Sequence, residues 1–278
     1  MLKVNTPEKE LVRAHWEAEA CGVRYAEGDD AASFYQSIDE ARYSLEPMIL
    51  PFAQFERFRE KKVLEIGVGV GTDFSQFLQA GAIVTGIDLT QNAVDHTRRR
   101  LAAKGFSENE LNISRGDAED IHCQDGAFDL VYAWGVLHHS PNPERALTEA
   151  YRVLKRGGLL KIMIYHVRSW TALIIWIKYS LLTGKPWISP KSAIFDQLES
   201  PGTKSYTVRE ARHLLTQVGF GQINVEPKLG PGDLLNIEPS SRHRGVLFTI
   251  IKATYPRWLV RFLGNRFGLY LLIDAKKP

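Results

Sequence analysis

Between Lys61 and Val167 the chain alternates short apolar runs with longer amphipathic stretches. This alternation limits the fold more than any other feature of the sequence. The runs are "KVLEIGV", "AIVTGIDL", "NISRGDA", "FDLVYAWGVL" and "LLKIMIYH"; the stretches include "DFSQFLQAG", "QNAVDHTRRRLAAKG" and "NPERALTEAYRVLKRGG". Apolar runs of about four to eight residues between helical patterns predict βαβ units and a parallel sheet. Gly81, Gly105 and Gly157–Gly158 stand where helix C-caps are expected.

The flanks read differently. Residues 1–60 are mostly helical in pattern, with turn signals at "CGVRYAEGDD". After 167 comes the apolar "WTALIIWIKYSLL", then the turn-rich "GKPWISPKSAIFDQLESPGTKSYT". "TVREARHLLTQVGF" predicts an amphipathic helix, with Thr207 and Glu210 spaced as a capping box. "INVEP" and "YLLIDAK" are strand candidates, separated by the basic, aromatic "SSRHRGVLFTIIKATYPRWLVRFLGNRFG".

Composition narrows the function classes. The chain has 278 residues, 44% hydrophobic and 24% charged, as in an ordinary globular protein. Cys21 and Cys123 are too few for a disulfide framework or a zinc cluster, and no two histidines stand three or four residues apart. No metal is therefore expected. The charged N-terminus lacks the apolar core of a signal peptide, and Trp170–Leu182 is too short to span a bilayer. A cytoplasmic location is expected. Residues 168–278 hold 16 Lys/Arg against 7 Asp/Glu, whereas residues 1–167 hold 19 against 25. The basic last part suits an anionic or interfacial contact, or merely scattered solubilising charge.

"VLEIGVGVGTDF" turns on Gly67, Gly69 and Gly71 directly after the first run. Glycines there let a ligand come closer than a Cβ would permit. The spacing is G-x-G-x-G, not the G-x-G-x-x-G of dinucleotide sites, and no Lys-Ser/Thr follows as in a P-loop. Glu65 and Asp73 flank the glycines. Carboxylates there repel a phosphate and attract a cationic or hydroxyl-rich ligand. Asp88 ends the second run, 21 residues beyond Gly67, where an acid can take two ribose hydroxyls. Asp117 and Glu119 flank Ala118 after the third run.

"VLEIGVGVGTD", "GIDLT", "RGDAEDI", "FDLVYAWGVLHHSPNPERAL" and "YRVLKRGGLLKI" together resemble the class I S-adenosylmethionine-dependent methyltransferases, specifically the type 11 group with small-molecule acceptors. The resemblance covers about 100 residues. It implies an α/β, Rossmann-like, seven-stranded and mainly parallel sheet, with helices on both faces and one antiparallel strand near the end. It implies three parts: an N-terminal helical lid at 1–60, a cofactor-binding core at 61–167, and a segment 168–278 that completes the sheet and carries acceptor-site insertions.

The resemblance also implies roles. Gly67, Gly69 and Gly71 would admit the methionine and ribose portion of S-adenosylmethionine, with Glu65 near its amino group. Asp88 would hold the ribose hydroxyls and Leu89 would pack on adenine. Asp117 would take the adenine amino group, with Ala118 on the ring. Trp134 and Gly135 would lie near the sulfonium, where an aromatic face can act through a cation–π contact. S-adenosylhomocysteine would be the product.

In "LHHSPNP", His138 and His139 are candidate general bases at the mouth of the sheet, or else structural. Tyr165 and His166 end the fifth run and are candidate acceptor contacts. Tyr25, Tyr35, Arg42 and Tyr43 are candidate lid residues, with Arg42 a partner for the methionine carboxylate, or else helix packing. The apolar insertions fit three roles: a wall for an apolar acceptor, a homodimer interface, or peripheral membrane contact. Nucleic-acid binding is not expected, because the basic residues are interleaved with aliphatics. The rival readings are a nicotinamide-dependent oxidoreductase and a non-catalytic S-adenosylmethionine-binding regulatory module.

Overall fold

The alternation resolves into seven strands. They are β1 (Lys62–Ile66), β2 (Ile83–Asp88), β3 (Asn112–Arg115), β4 (Phe128–Trp134), β5 (Leu154–Tyr165), β6 (Gly221–Lys228) and β7 (Tyr270–Lys276). They form one sheet in the order β3-β2-β1-β4-β5-β7-β6. β1 to β5 run parallel, and β7 is antiparallel to both of its neighbours. The expected Rossmann-like sheet and its one antiparallel strand are both present. The computed structural model describes residues 6–108, 111–236 and 252–278.

Helices cover both faces because strand side chains alternate between them. On one face Leu64, Ile66, Val131 and Ile162 pack against α6 (Pro143–Val153) and α9 (Val208–Val218). On the other, Val63, Val84, Leu130 and Tyr132 meet α4 (Thr72–Gln79) and α5 (Gln91–Ala103). Phe77 of α4 is fully buried there, so Phe77→Ala would cost about 3–5 kcal/mol through lost transfer energy and an unfilled cavity. Gly81 and Gly105 follow α4 and α5 in left-handed backbone, as C-cap glycines do. Gly157–Gly158 differ from expectation. α6 stops at Val153, and both glycines lie in the first half of β5. A Cβ on Gly158 would stand 2.9 Å from the Lys155 carbonyl, so close backbone packing is what requires glycine there.

Three N-terminal helices precede the sheet. α1 (Pro7–Ala18) is capped by Thr6, α2 (Ala31–Leu45) by a reciprocal Asp30–Ser33 box, and α3 (Ile49–Ala53) is buried in the α4–α5 core. α1 is tied down by Glu17, whose carboxylate accepts the backbone N–H groups of Gln91 and Asn92 at the N-terminus of α5. A carboxylate suits that positive helix end. α2 is tied down by the fully buried Arg100. Its guanidinium pairs with Asp39, donates to the Val70 carbonyl (2.6 Å) and Thr72 Oγ1 (3.0 Å), and lies over the Tyr35 ring. One arginine thereby fixes α2 to the far end of the glycine turn.

The last third carries the two insertions. α7 (Trp170–Trp176) runs on as one wide π-turn to Leu181, and α8 (Pro190–Gln197) follows. α9 has the capping box predicted for Thr207 and Glu210. α10 (Arg257–Leu263) begins only after Pro256; residues 240–251 of the same basic, aromatic stretch lie outside the described residues. Trp170 meets Phe267 edge-on at 6.0 Å, so the two insertions touch. Among the described residues no helix is long and apolar enough to cross a membrane.

Candidate active site

A cavity of about 310 Å³ opens at the carboxyl ends of the parallel strands, where open α/β sheets hold their ligands. Gly67, Gly69 and Gly71 all have positive φ. Their reasons differ. A Cβ on Gly67 would strike Val136 at 2.3 Å and one on Gly71 would strike Thr97 at 2.7 Å, whereas nothing lies within 4 Å of one on Gly69. Two of the glycines serve packing; Gly69 faces the open cavity.

Carboxylates line this end. Glu65 is 4% exposed, and its Oε2 has no hydrogen-bond partner. Burial, with the charges of Asp73 and Asp88 added, pushes its carboxyl well above the ordinary range against the opposing pull of Arg42. Asp73, at the start of α4, accepts from Arg42 (Nη2, 2.6 Å) and from the hydroxyls of Tyr43 (2.9 Å) and Tyr132 (2.8 Å). Burial works against the Arg42 charge, but Asp73 and Glu46 outweigh it and raise its pKa. Asp88 accepts the Gly69 N–H at 3.1 Å and the Thr90 N–H and hydroxyl at 2.9 and 2.8 Å. It therefore holds the turn from below while still lining the cavity. Leu89, Asp117 and Ala118 line the cavity as well, and Lys9 of α1 reaches Asp117 at 2.7 Å and Glu119 at 2.8 Å.

The opposite wall is aromatic. Trp134 sits edge-on to Phe52 and to Tyr270, both at 5.9 Å, with Gly135 beside it in left-handed backbone. Tyr165 stacks near Tyr270, whose hydroxyl donates to Glu46 at 2.5 Å. Tyr25, Arg42 and Tyr165 line the cavity as expected. Four candidates do not. Tyr35 is buried beneath Arg100, with its hydroxyl 3.1 Å from His96 Nδ1. Tyr43 stands behind Asp73, and the His166 ring is spent on the Gly268 carbonyl at 3.0 Å. His138 is fully buried against Leu147, Ile162 and Leu215, with neither ring nitrogen partnered. Burial, then the neighbouring His139 and Lys204, hold its pKa well below the usual value. It stays neutral and out of an acceptor's reach.

His139 does line the cavity, with the Trp16 ring 5.3 Å away. Its Nε2 lies 3.2 Å from Glu199, and its Nδ1 lies 2.8 Å from the Ser200 hydroxyl and 3.1 Å from that of Thr203. Thr203 already donates to the Ser200 carbonyl at 2.7 Å, so towards His139 it can only accept. Tyr165 donates to Glu199 at 2.8 Å. Although burial works the other way, His139 and Tyr165 hold the Glu199 carboxyl below its ordinary range. Glu199 also has a φ of +57°, rare for a residue with a side chain. The ligand-type atoms of His138, His139 and Glu199 lie within 4.8 Å of one another. Sequence reasoning missed Glu199 because it stands alone in "LESPG", with no motif or period around it. It missed Lys9, Trp16 and Glu46 for the same reason.

Residues 64–162 match the model of the Methyltransferase domain family. Over 136 residues the chain is 32% identical to sterol 24-C-methyltransferase erg-4 of Neurospora crassa, covering 49% of this chain and 33% of that one. Over 163 residues it is 29% identical to demethylmenaquinone methyltransferase of Tropheryma whipplei, covering 58% and 66%. The chain thus spans between one third and two thirds of the length of these curated relatives. Among solved structures, geranyl diphosphate C-methyltransferase from Streptomyces coelicolor A3(2) superposes with a TM-score of 0.64 over 99% of both chains, at 18% identity.

Proposed function

We propose that this chain, whose residues 64–162 match the Methyltransferase domain model, moves a methyl group from S-adenosylmethionine to an O, N, S or C nucleophile of a small, apolar or lipid-like acceptor. The observation that carries the donor half is the buried Glu65 oxygen without a partner, beside the open space at Gly69. A buried carboxylate left bare is costly, and a ligand ammonium is what would satisfy it. Glu65 would hold the methionine amino group and Asp88 the ribose hydroxyls. Leu89 and Ala118 would flank adenine, and Asp117 would accept its amino group. Bound S-adenosylmethionine supplies an electrophilic methyl group, so much of the protein's work is alignment and exclusion of water.

The residues on the acceptor side divide the remaining work. Tyr165, Tyr270, Leu198 and Leu269 give an apolar wall, with Glu46 and Glu199 set into it. His139 is the general base of this reading. Its Nε2, 3.2 Å from Glu199 but without a hydrogen bond, is the nitrogen left to take a proton, and the imidazolium then has a carboxylate beside Nε2 and two hydroxyl oxygens beside Nδ1. α1, α2 and the short turn between them, bringing Lys9, Trp16, Arg42 and Tyr25 to the cavity, serve as the lid. The sterol and quinone acceptors in the names of the two curated relatives are apolar, which supports the acceptor class.

Asp73, Asp88, Asp117 and Glu119 along one cavity would disfavour a pyrophosphate, which weighs against the nicotinamide reading. Calorimetry separates the two. Tight S-adenosylhomocysteine binding with none for nicotinamide dinucleotides is expected, and the reverse result sinks the reading. Mass spectrometry of cell extract incubated with the protein and deuterated-methyl S-adenosylmethionine then identifies the acceptor. Cofactor binding without any labelled product would favour the regulatory module instead.

A further inference from the structure

α10 turns a row of large apolar side chains to solvent. Trp258 is 72% exposed and Phe262 82%, one helical turn apart on the same face, while Val260 on the opposite face is buried. Leu263 and Phe267 continue the patch at 40% and 38% exposure. Arg261 and Arg266 are exposed beside it, and neither is ion-paired among the described residues. The sequence around the patch is one-signed: residues 239–273 contain six Lys/Arg and no Asp or Glu. Two residues beyond Phe267, Leu269 lines the acceptor wall of the cavity, and Phe267 touches Trp170, next to the cavity-lining Thr171.

We infer that this face is a docking surface for an anionic lipid bilayer, set beside the opening through which an apolar acceptor reaches His139. Exposed Trp and Phe enter the interfacial layer, while arginines beside them meet lipid phosphates. Charge decides between the two main occupants. A second copy of this chain would bring Arg261 and Arg266 against their own counterparts, whereas an anionic leaflet neutralises them. In supplying the acceptor from the membrane, the inference rests on the apolar-acceptor reading above.

The test is co-sedimentation of the full chain with phosphatidylglycerol–phosphatidylcholine vesicles and with pure phosphatidylcholine vesicles. The wild type and the W258A/F262A variant are compared, and S-adenosylhomocysteine calorimetry is run on both. The expected result is partition onto the anionic vesicles, weakened by added salt. In the double variant that partition should fall about tenfold or more, because two interfacial anchors are gone. Its cofactor affinity should be unchanged, which shows that it is folded. Failure to bind anionic vesicles, or equal binding by the double variant, overturns the inference. So does light scattering that shows a dimer abolished by the double substitution in a protein that ignores vesicles. Loss of S-adenosylhomocysteine binding by the wild type would instead strike the methyl-transfer reading, whatever the vesicles show.

Discussion

Replacing Glu65 with Gln should move cofactor affinity and protein stability in opposite directions. In the free protein the Glu65 carboxyl is buried with its Oε2 unpartnered, and burial plus Asp73 push its pKa well above the ordinary value. Between the ordinary carboxylic range and that raised value, the folded protein keeps a proton that the unfolded chain releases. Stability therefore falls as pH rises through that window. Gln has no proton to lose, so E65Q should be at least as heat-stable as the wild type at neutral pH. The bound ligand reverses the balance. An ammonium meeting Glu65 makes a charge-assisted hydrogen bond, a contact of about 1.5–3 kcal/mol. Its loss should weaken S-adenosylhomocysteine binding roughly tenfold to a hundredfold. Titration calorimetry in buffers of different ionisation enthalpy reads the proton directly: the wild type should release more proton on binding than E65Q does. A less stable E65Q that binds with wild-type affinity would refute the reasoning and leave Glu65 a structural residue.

Four further substitutions probe neighbouring groups. Gly69→Val should abolish S-adenosylhomocysteine binding in a folded protein, since its side chain would fill the open space at a φ of +54°; a variant that still binds would show that the turn is not the site. Asp88→Ala should cost about 1–3 kcal/mol of cofactor affinity, and should lower Tm because the Gly69 N–H and both Thr90 donors lose their acceptor; unchanged calorimetry would reject its role. His139→Ala should slow turnover on the identified acceptor by about 10²-fold or more. Glu199→Gln should act in the same direction with cofactor affinity unaltered, and an unimpaired H139A would leave the histidine structural.

The residues proposed for the donor half were far more legible in the sequence than those proposed for the acceptor half, for a physical reason. Glu65, Asp88 and Asp117 each end a strand or begin the turn after it, so strand periodicity alone brings them to one edge of the sheet. Glu199 meets His139 across 60 positions, and only the folded path of the segment after α8 puts it there. Arg42, a candidate partner for the cofactor carboxylate, pairs with Glu46 at the i,i+4 helical spacing and with Asp73 across 31 positions, and only the second pairing lies beyond any spacing rule. The glycine pair at 157–158 misled because C-cap glycines and strand glycines look alike in sequence; the contact with Lys155 that separates them is local to the folded chain.

β7 follows β5 and β6 in the chain but lies between them in the sheet. Until it inserts, β6 has no strand to pair with, and the cavity lacks the Tyr270 wall. The parallel half, β1 to β4 with β5, can assemble from nearer contacts, whereas the β5–β7 pairing must close a loop of about a hundred residues, the slower kind of step. The donor side can thus be built before the acceptor side exists. A folding intermediate lacking β7 would be expected to hold the glycine turn and Asp88 in place, and so to recognise the nucleoside before it has anywhere to put the methyl group.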